Sequence, residues 1–235
     1  TSVKDTWVLA MLHDGLALKS AGADKVTKAL TKQGQSYNDP DFVKAANCIK
    51  ELVDMGAFID GATGLSNDEA SASFYAEQVP MYFTGSWMGG SIVTDAEKPD
   101  NFAVAPIPVV NSKNASVTDF MGGGSDTLMV SANTKNKDLA AAAAFEITRG
   151  VSKHAYLSGA GIPAWTVDYD ASSVPALTRQ VADIAGKATS YTLWFDTLMS
   201  SDDAGEYLTL LQSLFAGDLK PEEFAASMDK QLSKK

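Results

Sequence analysis

The chain has 235 residues, with 19 Lys or Arg against 29 Asp or Glu, so its formal net charge is −10. An acidic chain without a basic cluster is a poor nucleic-acid binder, because contacts to phosphates require Lys and Arg. The single cysteine, Cys48, excludes an intrachain disulfide and a thiolate metal cluster. Two histidines, His13 and His154, leave little for a zinc site. We therefore expect neither a metal nor a cofactor.

The first part of the chain contains helices bounded by residues that commonly cap them. An apolar run over residues 7–18 predicts the first helix. Asp39 as N-cap, Pro40 at the first helical position and Gly56 beyond the end predict the second. Residues 66–69 have the spacing of a capping box, which predicts a third helix.

The middle of the chain is predicted to be extended, with proline and glycine interruptions. Residues 79–83 indicate a short strand, at a sheet edge because Pro80 cannot donate a ladder hydrogen bond. Residues 84–87 indicate a turn into another helix, and residues 102–110 indicate extended segments broken by prolines. A glycine run is predicted to precede a strand over residues 127–130.

The last part of the chain returns to helical patterns. An alanine-rich helix is predicted from Asn136 to about Arg149, ended by Gly150. Further helices are predicted over residues 174–184, around residues 207–217, and from Pro221 onward. Few strands among many helices indicate a helix-rich α/β fold.

The sequence offers little that would support catalysis. The glycine run after Met121 lacks the Lys and Ser/Thr of a phosphate-binding loop and the final Gly of a nucleophile elbow. Asp202 and Asp203 could resemble a glycosidase pair, but adjacent carboxylates at a helix start more often interact with that helix. We therefore predict no catalytic residue.

Tryptophans next to turns provide the first sign of a ligand site. A Trp ring on a glycine-containing loop can stack on the C–H face of a sugar, although burial in the core is the alternative for each. The four tryptophans are Trp7, Trp87, Trp165 and Trp194.

Residues 74–87, FYAEQVPMYFTGSW, resemble a hallmark of the extracellular solute-binding proteins of ABC importers. In that family a capped helix ends in Phe and leads, through a short strand, to Gly-Ser/Pro-Trp. This chain departs from the pattern at Glu77, Gln78 and Pro80, where the family has a Gly-Lys-like pair and Ala. Other segments resemble the family in the correct order, namely residues 102–108, 122–124, 130–136 and 158–164. The carbohydrate-binding branch, of the maltose-binding type, is the most similar.

The resemblance implies a two-lobed fold like the type II periplasmic binding proteins, with the ligand in the cleft. It implies that this chain is the C-terminal portion and that the N-terminal lobe is largely missing. Residues 1–104 and 161–235 would belong to the C-terminal lobe, and residues 105–160 would cross to the N-terminal lobe. The expected location is the extracellular face of the membrane or the periplasm, either free or anchored as a lipoprotein through a missing N-terminus.

The resemblance also implies the ligand-binding residues. Stacking rings, loop backbone and hydroxyl-accepting carboxylates would come from Trp87, Trp194, Gly122, Gly123, Asp126, Asp5 and, more weakly, Trp165. For Asp126 a turn cap, and for Asp5 a surface position, are equal alternatives.

The predicted function is non-enzymatic binding of a solute, a carbohydrate by resemblance, for delivery to the membrane subunits of an ABC permease. A peptide or polyamine is an alternative ligand, for which Asp126 and Asp196 would supply carboxylates. A glycosidase-like enzyme is a further alternative, which would require two opposed acids. The apolar faces of the crossing segment, including Leu139, Phe145 and Ile147, predict self-association of a chain that lacks one lobe.

Overall fold

The computed structural model describes residues 1–123 and 127–234. Its helices and strands are α1 (Thr6–Ala21), α2 (Ala23–Leu30), α3 (Pro40–Asp54), α4 (Asn67–Tyr75), α5 (Met88–Asp95), a 3-10 helix (Pro99–Asn101), β1 (Asp119–Met121), α6 (Lys137–Ser158), α7 (Ala176–Ala185), β2 (Ser190–Thr192), α8 (Phe195–Leu198), α9 (Ser201–Ala216) and α10 (Pro221–Leu232). The helix-rich α/β character is therefore as predicted.

The chain divides into two compact units. Unit 1 consists of Thr1–Thr84, Ala105–Gly123 and Lys187–Lys235. Unit 2 consists of Gly85–Val104 and Gly124–Gly186. The assignment of residues 1–104, 105–160 and 161–235 to two lobes stays a prediction.

Helix α1 is the centre of unit 1. All but two of its 16 residues are buried, and it packs against α3, α9 and β1. Side chains such as Phe42, Ile49, Leu211 and Phe224 form the core around it. The helix is thus covered on nearly all sides, as expected of a core helix.

Capping residues set the helix boundaries where the sequence predicted them. Asp39 accepts a hydrogen bond from the backbone N–H of Asp41 at 2.9 Å and starts α3. The capping box at Ser66 and Glu69 starts α4, and α10 begins at Pro221. Gly217 ends α9 with a left-handed φ of 85°.

Both strands predicted in the middle of the chain are wrong. Residues 79–83 and 127–130 are irregular, and among the described residues the only strands are β1 and β2. These two strands pair in parallel, with Asp119 opposite Ser190. Strands need partners, and a sequence pattern alone does not show which distant segment will pair.

Helix α6 extends further than predicted. It passes through Gly150 and ends at Ser158, where Gly159 caps it with a left-handed φ of 84°. A glycine inside a helix costs stability relative to alanine but does not end the helix. Helix α7 begins at Ala176, after Pro175, rather than at Val174. No helix in the described part of the chain has the length and apolarity needed to cross a membrane.

Glycines allow close backbone packing in unit 2. A Cβ atom added to Gly89 would lie 2.9 Å from the carbonyl oxygen of Gly159, and one added to Gly90 would lie 2.9 Å from that of Ser158. The start of α5 therefore contacts the end of α6 through main-chain atoms, and a larger residue would separate them.

Lys19 holds the segment of main chain that leads into β1. Its buried ammonium group donates to the carbonyl oxygens of Ser116 at 2.8 Å, of Val117 at 3.1 Å, and of Asp119. It also lies 5.2 Å from the centre of the Phe120 ring. Burial lowers the pKa of Lys19, while the charge of Asp119 opposes that change.

Replacing Lys19 tests this anchor. Lys19→Met should remove one donor from each of three carbonyl groups and lower the free energy of unfolding by about 2–4 kcal/mol, measured by urea denaturation. Lys28 is the control, because its ion pair with Asp24 on α2 is exposed, and Lys28→Met should cost about 0.5 kcal/mol or less. Equal stability of the two variants would contradict the anchoring role.

Candidate functional site

The parallel strands bring three predicted ligand residues to one end of unit 1. Met121 pairs with Thr192 at the ends of β1 and β2. Gly122 and Gly123 follow β1, and Trp194 lies two residues beyond β2. Because parallel strands end at the same edge, these residues leave the sheet together.

The glycine loop lies directly against β2. The backbone N–H of Gly122 donates to the carbonyl oxygen of Thr192 at 2.8 Å. Gly122 and Gly123 have φ values of 125° and 81°, a region that favours glycine. A Cβ atom on Gly123 would lie 3.1 Å from the Cβ atom of Tyr191, so a larger residue there would press on that side chain.

Tyr191 is a candidate that the sequence reasoning missed. Its side chain is 49% exposed, and its ring centre lies 6.2 Å from that of Phe120, its partner in the strand register. Recognising residues 190–192 as a strand next to the glycine loop would have identified Tyr191. No strand is predicted there from the sequence, because three residues are too few to show an alternating pattern.

The backbone at Trp194 is held by the first turn of α8. The carbonyl oxygen of Trp194 accepts hydrogen bonds from Thr197 at 3.0 Å and Leu198 at 3.3 Å. The Trp194 side chain is half-buried, and the next residue, Phe195, is fully buried. The ring is therefore attached to a fixed piece of main chain.

A buried polar cluster lies behind this turn. The backbone N–H of Phe195 donates to Asp14 Oδ2 at 3.2 Å, and Tyr207 Oη donates to Asp14 Oδ1 at 2.6 Å. His13 Nδ1 is 2.8 Å from Tyr207 Oη. Burial raises the pKa of Asp14 to about 8 and lowers the pKa of His13 to about 3. At neutral pH both side chains are therefore mainly uncharged.

Trp87 lies in unit 2, at the N-cap position of α5, as the predicted turn implied. Its side chain is exposed. A Cβ atom on Gly85 would lie 2.0–2.4 Å from three atoms of the Trp87 ring. The ring thus lies over Gly85, in space that only glycine leaves open.

Trp165 lines a small pocket within unit 2. The pocket has a volume of about 260 Å³ and is lined by Glu146, Arg149, Gly150, Ser152, Lys153, Trp165, Thr166, Asp168 and Tyr169. The Trp165 ring contacts Phe145 edge-on, with 4.8 Å between ring centres. Arg149 and Asp168 form an ion pair at 2.6 Å, so these two charges of the lining neutralise each other.

Of the two aspartates predicted to bind ligand, Asp5 and Asp126, the structure describes only Asp5. The Asp5 carboxylate accepts a hydrogen bond from the backbone N–H of Asn67 at 2.6 Å, at the start of α4. It therefore has a helix-capping contact, and its ligand role stays a prediction. Asp126 lies outside the described residues.

Other acidic residues are engaged in structural contacts. Asp203 is almost fully buried and is bound by Lys32 at 3.0 Å, Ser200 Oγ at 2.7 Å and Gln231 at 3.0 Å. These contacts leave little of this carboxylate for chemistry. Within residues 1–123 and 127–234, no group of three or more His, Cys, Asp or Glu side chains is arranged to hold a metal ion.

Residues 2–145 match the bacterial extracellular solute-binding protein family. The chain belongs to this family. The family resemblance predicted from the sequence is therefore confirmed. Members of this family are extracellular or periplasmic proteins, which agrees with the expected location. No curated protein sequence matches the chain.

Two solved structures are similar to the solute-binding chain. One comes from a study of xylan utilization by the thermophilic bacterium Caldanaerobius polysaccharolyticus, with a TM-score of 0.93 and 32% identity over 97% of this chain and 59% of that chain. The other is a chitin oligosaccharide binding protein, with a TM-score of 0.84 and 23% identity over 97% of this chain and 57% of that chain. The second likeness shows the fold. The chain spans less than two thirds of the length of either protein.

Replacing Gly85 tests whether the Trp87 ring packs over this residue. Gly85→Ala should displace the ring and leave the fold intact, because an aromatic side chain can rotate away from an added methyl group. Fluorine NMR of 5-fluorotryptophan-labelled protein should show a shifted Trp87 signal, assigned with Trp87→Phe. Gly205→Ala is the control, because no neighbouring atom lies within 4 Å of a Cβ atom added there. An unmoved Trp87 signal in Gly85→Ala would contradict the packing described.

Proposed function

We propose that the protein is a receptor that binds a carbohydrate without chemical change and delivers it to the membrane subunits of an ABC importer. The observation that supports this proposal is the end of the β1–β2 pair, where Gly123 lies against Tyr191 and Trp194 follows two residues after β2. Family membership supports the receptor role, and the two similar structures make xylan- and chitin-derived oligosaccharides the first ligands to test.

The chemistry of this group of residues suits a sugar. Aromatic rings offer flat apolar faces for the C–H groups of a sugar ring. The glycine backbone next to Tyr191 offers N–H and C=O groups to hydroxyls, and no side chain of its own covers them. By family resemblance, Trp87 is a second proposed stacking residue and Asp126 a proposed acceptor for hydroxyl groups. Asp5 and Trp165 are proposed as weaker contributors.

A non-enzymatic role is favoured by the contacts of the acidic residues. The adjacent Asp202 and Asp203 are in the first turn of α9, where negative charge is favourable to the helix. Asp203 is already bound by three side chains. A hydrolytic pair would need two acids free to reach opposite sides of a sugar bond.

The apolar surface of unit 2 leads to a second proposal, self-association. None of the 22 residues of α6 is buried within the described structure. Leu139 is 70% exposed, and Ile147 and Val151 are also exposed. Contiguous exposed apolar groups favour association because water is released when they are covered. We propose that a second copy of this chain covers α6.

The carbohydrate proposal is tested by saturation-transfer NMR, which detects weak binding. Xylo- and chito-oligosaccharides should receive saturation from the chain, whereas a dipeptide and spermidine should not show binding. Trp194→Ala and Trp87→Ala should each weaken sugar binding about fivefold or more, because an aromatic stack contributes about 1 kcal/mol. Trp194→Phe should weaken it less, and Met55→Ala, at an exposed apolar side chain in unit 1, should have no effect.

Two results would contradict the carbohydrate site. One is the absence of transfer to every sugar while the protein remains folded. The other is preferential binding of the peptide or the polyamine.

Self-association is tested by light scattering coupled to size-exclusion chromatography. The chain should elute with at least twice the mass of one copy, and the double variant Leu139→Ser, Ile147→Ser should become monomeric. Met55→Ser, at a side chain that is 69% exposed in unit 1, is the control and should remain associated. A monomer at every protein concentration would overturn the proposal.

A further inference from the structure

The carboxyl group of Asp14 is an unusual component of an apolar core. Asp14 lies inside α1 and is only 3% exposed. Burying a carboxylate is costly unless a cation or several donors compensate for its lost hydration. One of its oxygen atoms accepts a hydrogen bond from Tyr207 Oη at 2.6 Å, and the other accepts from the backbone N–H of Phe195 at 3.2 Å.

Within residues 1–123 and 127–234, the groups that act on Asp14 carry no positive charge. His13 on α1 is buried and has a pKa lowered to about 3, so it is neutral. Tyr207 on α9 and Tyr37 before α3 are buried, and their pKa values are raised well above the usual range. Asp196 on α8 is the remaining group that acts on Asp14, and its negative charge raises the pKa of Asp14 further.

The contact with Phe195 links Asp14 to the candidate site. Phe195 begins α8 and directly follows Trp194. Its ring is fully buried and meets His13 edge-on, with 6.1 Å between ring centres. The Phe195 N–H has no acceptor within its own helix, because it is the first residue of that helix. Asp14 provides that acceptor and so holds the main chain next to Trp194.

We propose that Asp14 is the positioning residue of the turn at Trp194, and that loss of its proton loosens this turn and weakens ligand binding. The inference rests on the proposed carbohydrate site. A neutral carboxyl group fits the cluster, because it needs no compensating charge in the apolar core and its carbonyl oxygen can still accept from the N–H of Phe195. An ionised carboxylate needs water or a cation to compensate for its charge. The charged group that acts on Asp14 is instead Asp196, which repels it. Admitting water requires the α8 turn to move away from α1.

The direction of the pH effect follows from burial. The pKa of Asp14 is about 8 in the folded protein against 3.8 for an unperturbed aspartate. The stabilising contribution of the neutral group is therefore complete below pH 3.8 and is lost as the pH rises to about 8. In folded protein the charge appears around pH 8, which is where the turn should loosen.

The experiment follows the indole N–H signal of Trp194 by NMR and the affinity for a xylo-oligosaccharide, from about pH 6 to about pH 10. The Trp194 signal is assigned with Trp194→Phe. In the unmodified chain, both readouts should change with a midpoint near pH 8, and the affinity should fall several-fold. Asp14→Asn keeps an acceptor for Phe195 and cannot ionise, so both readouts should become independent of pH in this range.

Three further variants test the direction in which the midpoint of the pH response moves. Asp196→Asn removes the neighbouring negative charge and should move the midpoint to lower pH. Tyr207→Phe removes a hydrogen bond that lowers the pKa of Asp14 and should move the midpoint to higher pH. Asp202→Asn neutralises an exposed acid in the first turn of α9 and should leave the midpoint unchanged.

A Trp194 signal that is insensitive to pH in the unmodified chain would overturn the proposal. The same pH response in Asp14→Asn would also overturn it. If Asp14→Asn does not fold, the opposite shifts expected for Asp196→Asn and Tyr207→Phe decide the matter, and their absence counts against Asp14. The Trp194 signal needs no sugar, so a pH response without sugar binding would support the positioning role and contradict the proposed function.

Discussion

The burial of α1 is the constraint on which unit 1 depends. An apolar helix covered on all sides would be unremarkable, but this one carries His13, Asp14 and Lys19 into the interior. A buried polar group must find a partner inside the protein. His13 and Asp14 both bind Tyr207 on α9, Asp14 also binds the start of α8, and Lys19 binds the segment that leads into β1. The same helix that forms the core thus sets the positions of the elements around it.

In this arrangement, the side chains proposed to contact the ligand differ from the buried side chains that hold them in place. Lys19 fixes the approach to β1, after which the Gly122–Gly123 loop begins. Asp14 contacts the residue that follows Trp194. The exposed groups of the proposed site are therefore supported from behind by side chains of one rigid helix. Such support is what keeps a binding surface in one geometry before the ligand arrives.

Local signals in the sequence predicted local structure well. Asp39 with Pro40, and Ser66 with Glu69, act within a few residues, so they start α3 and α4 as expected. The strand predictions were wrong because strand pairing joins distant parts of the chain, as in the pairing of Asp119 with Ser190. Residues 79–83 have no such partner in the structure, and the sequence pattern could not show this. Trp194 was predicted from family resemblance, whereas Tyr191 and Asp14 became visible only when the strand register and the α1 environment were known.

The glycine contacts in unit 2 have a consequence for the order of folding. Gly89 and Gly90 meet the carbonyl groups of Ser158 and Gly159 through main-chain atoms, and almost 70 residues separate the two partners in the chain. Closing so long a loop loses entropy before any contact compensates for it, which slows folding. Main-chain contacts also bury little apolar surface. This junction should therefore be among the last parts of unit 2 to form, and among the first to open to hydrogen exchange.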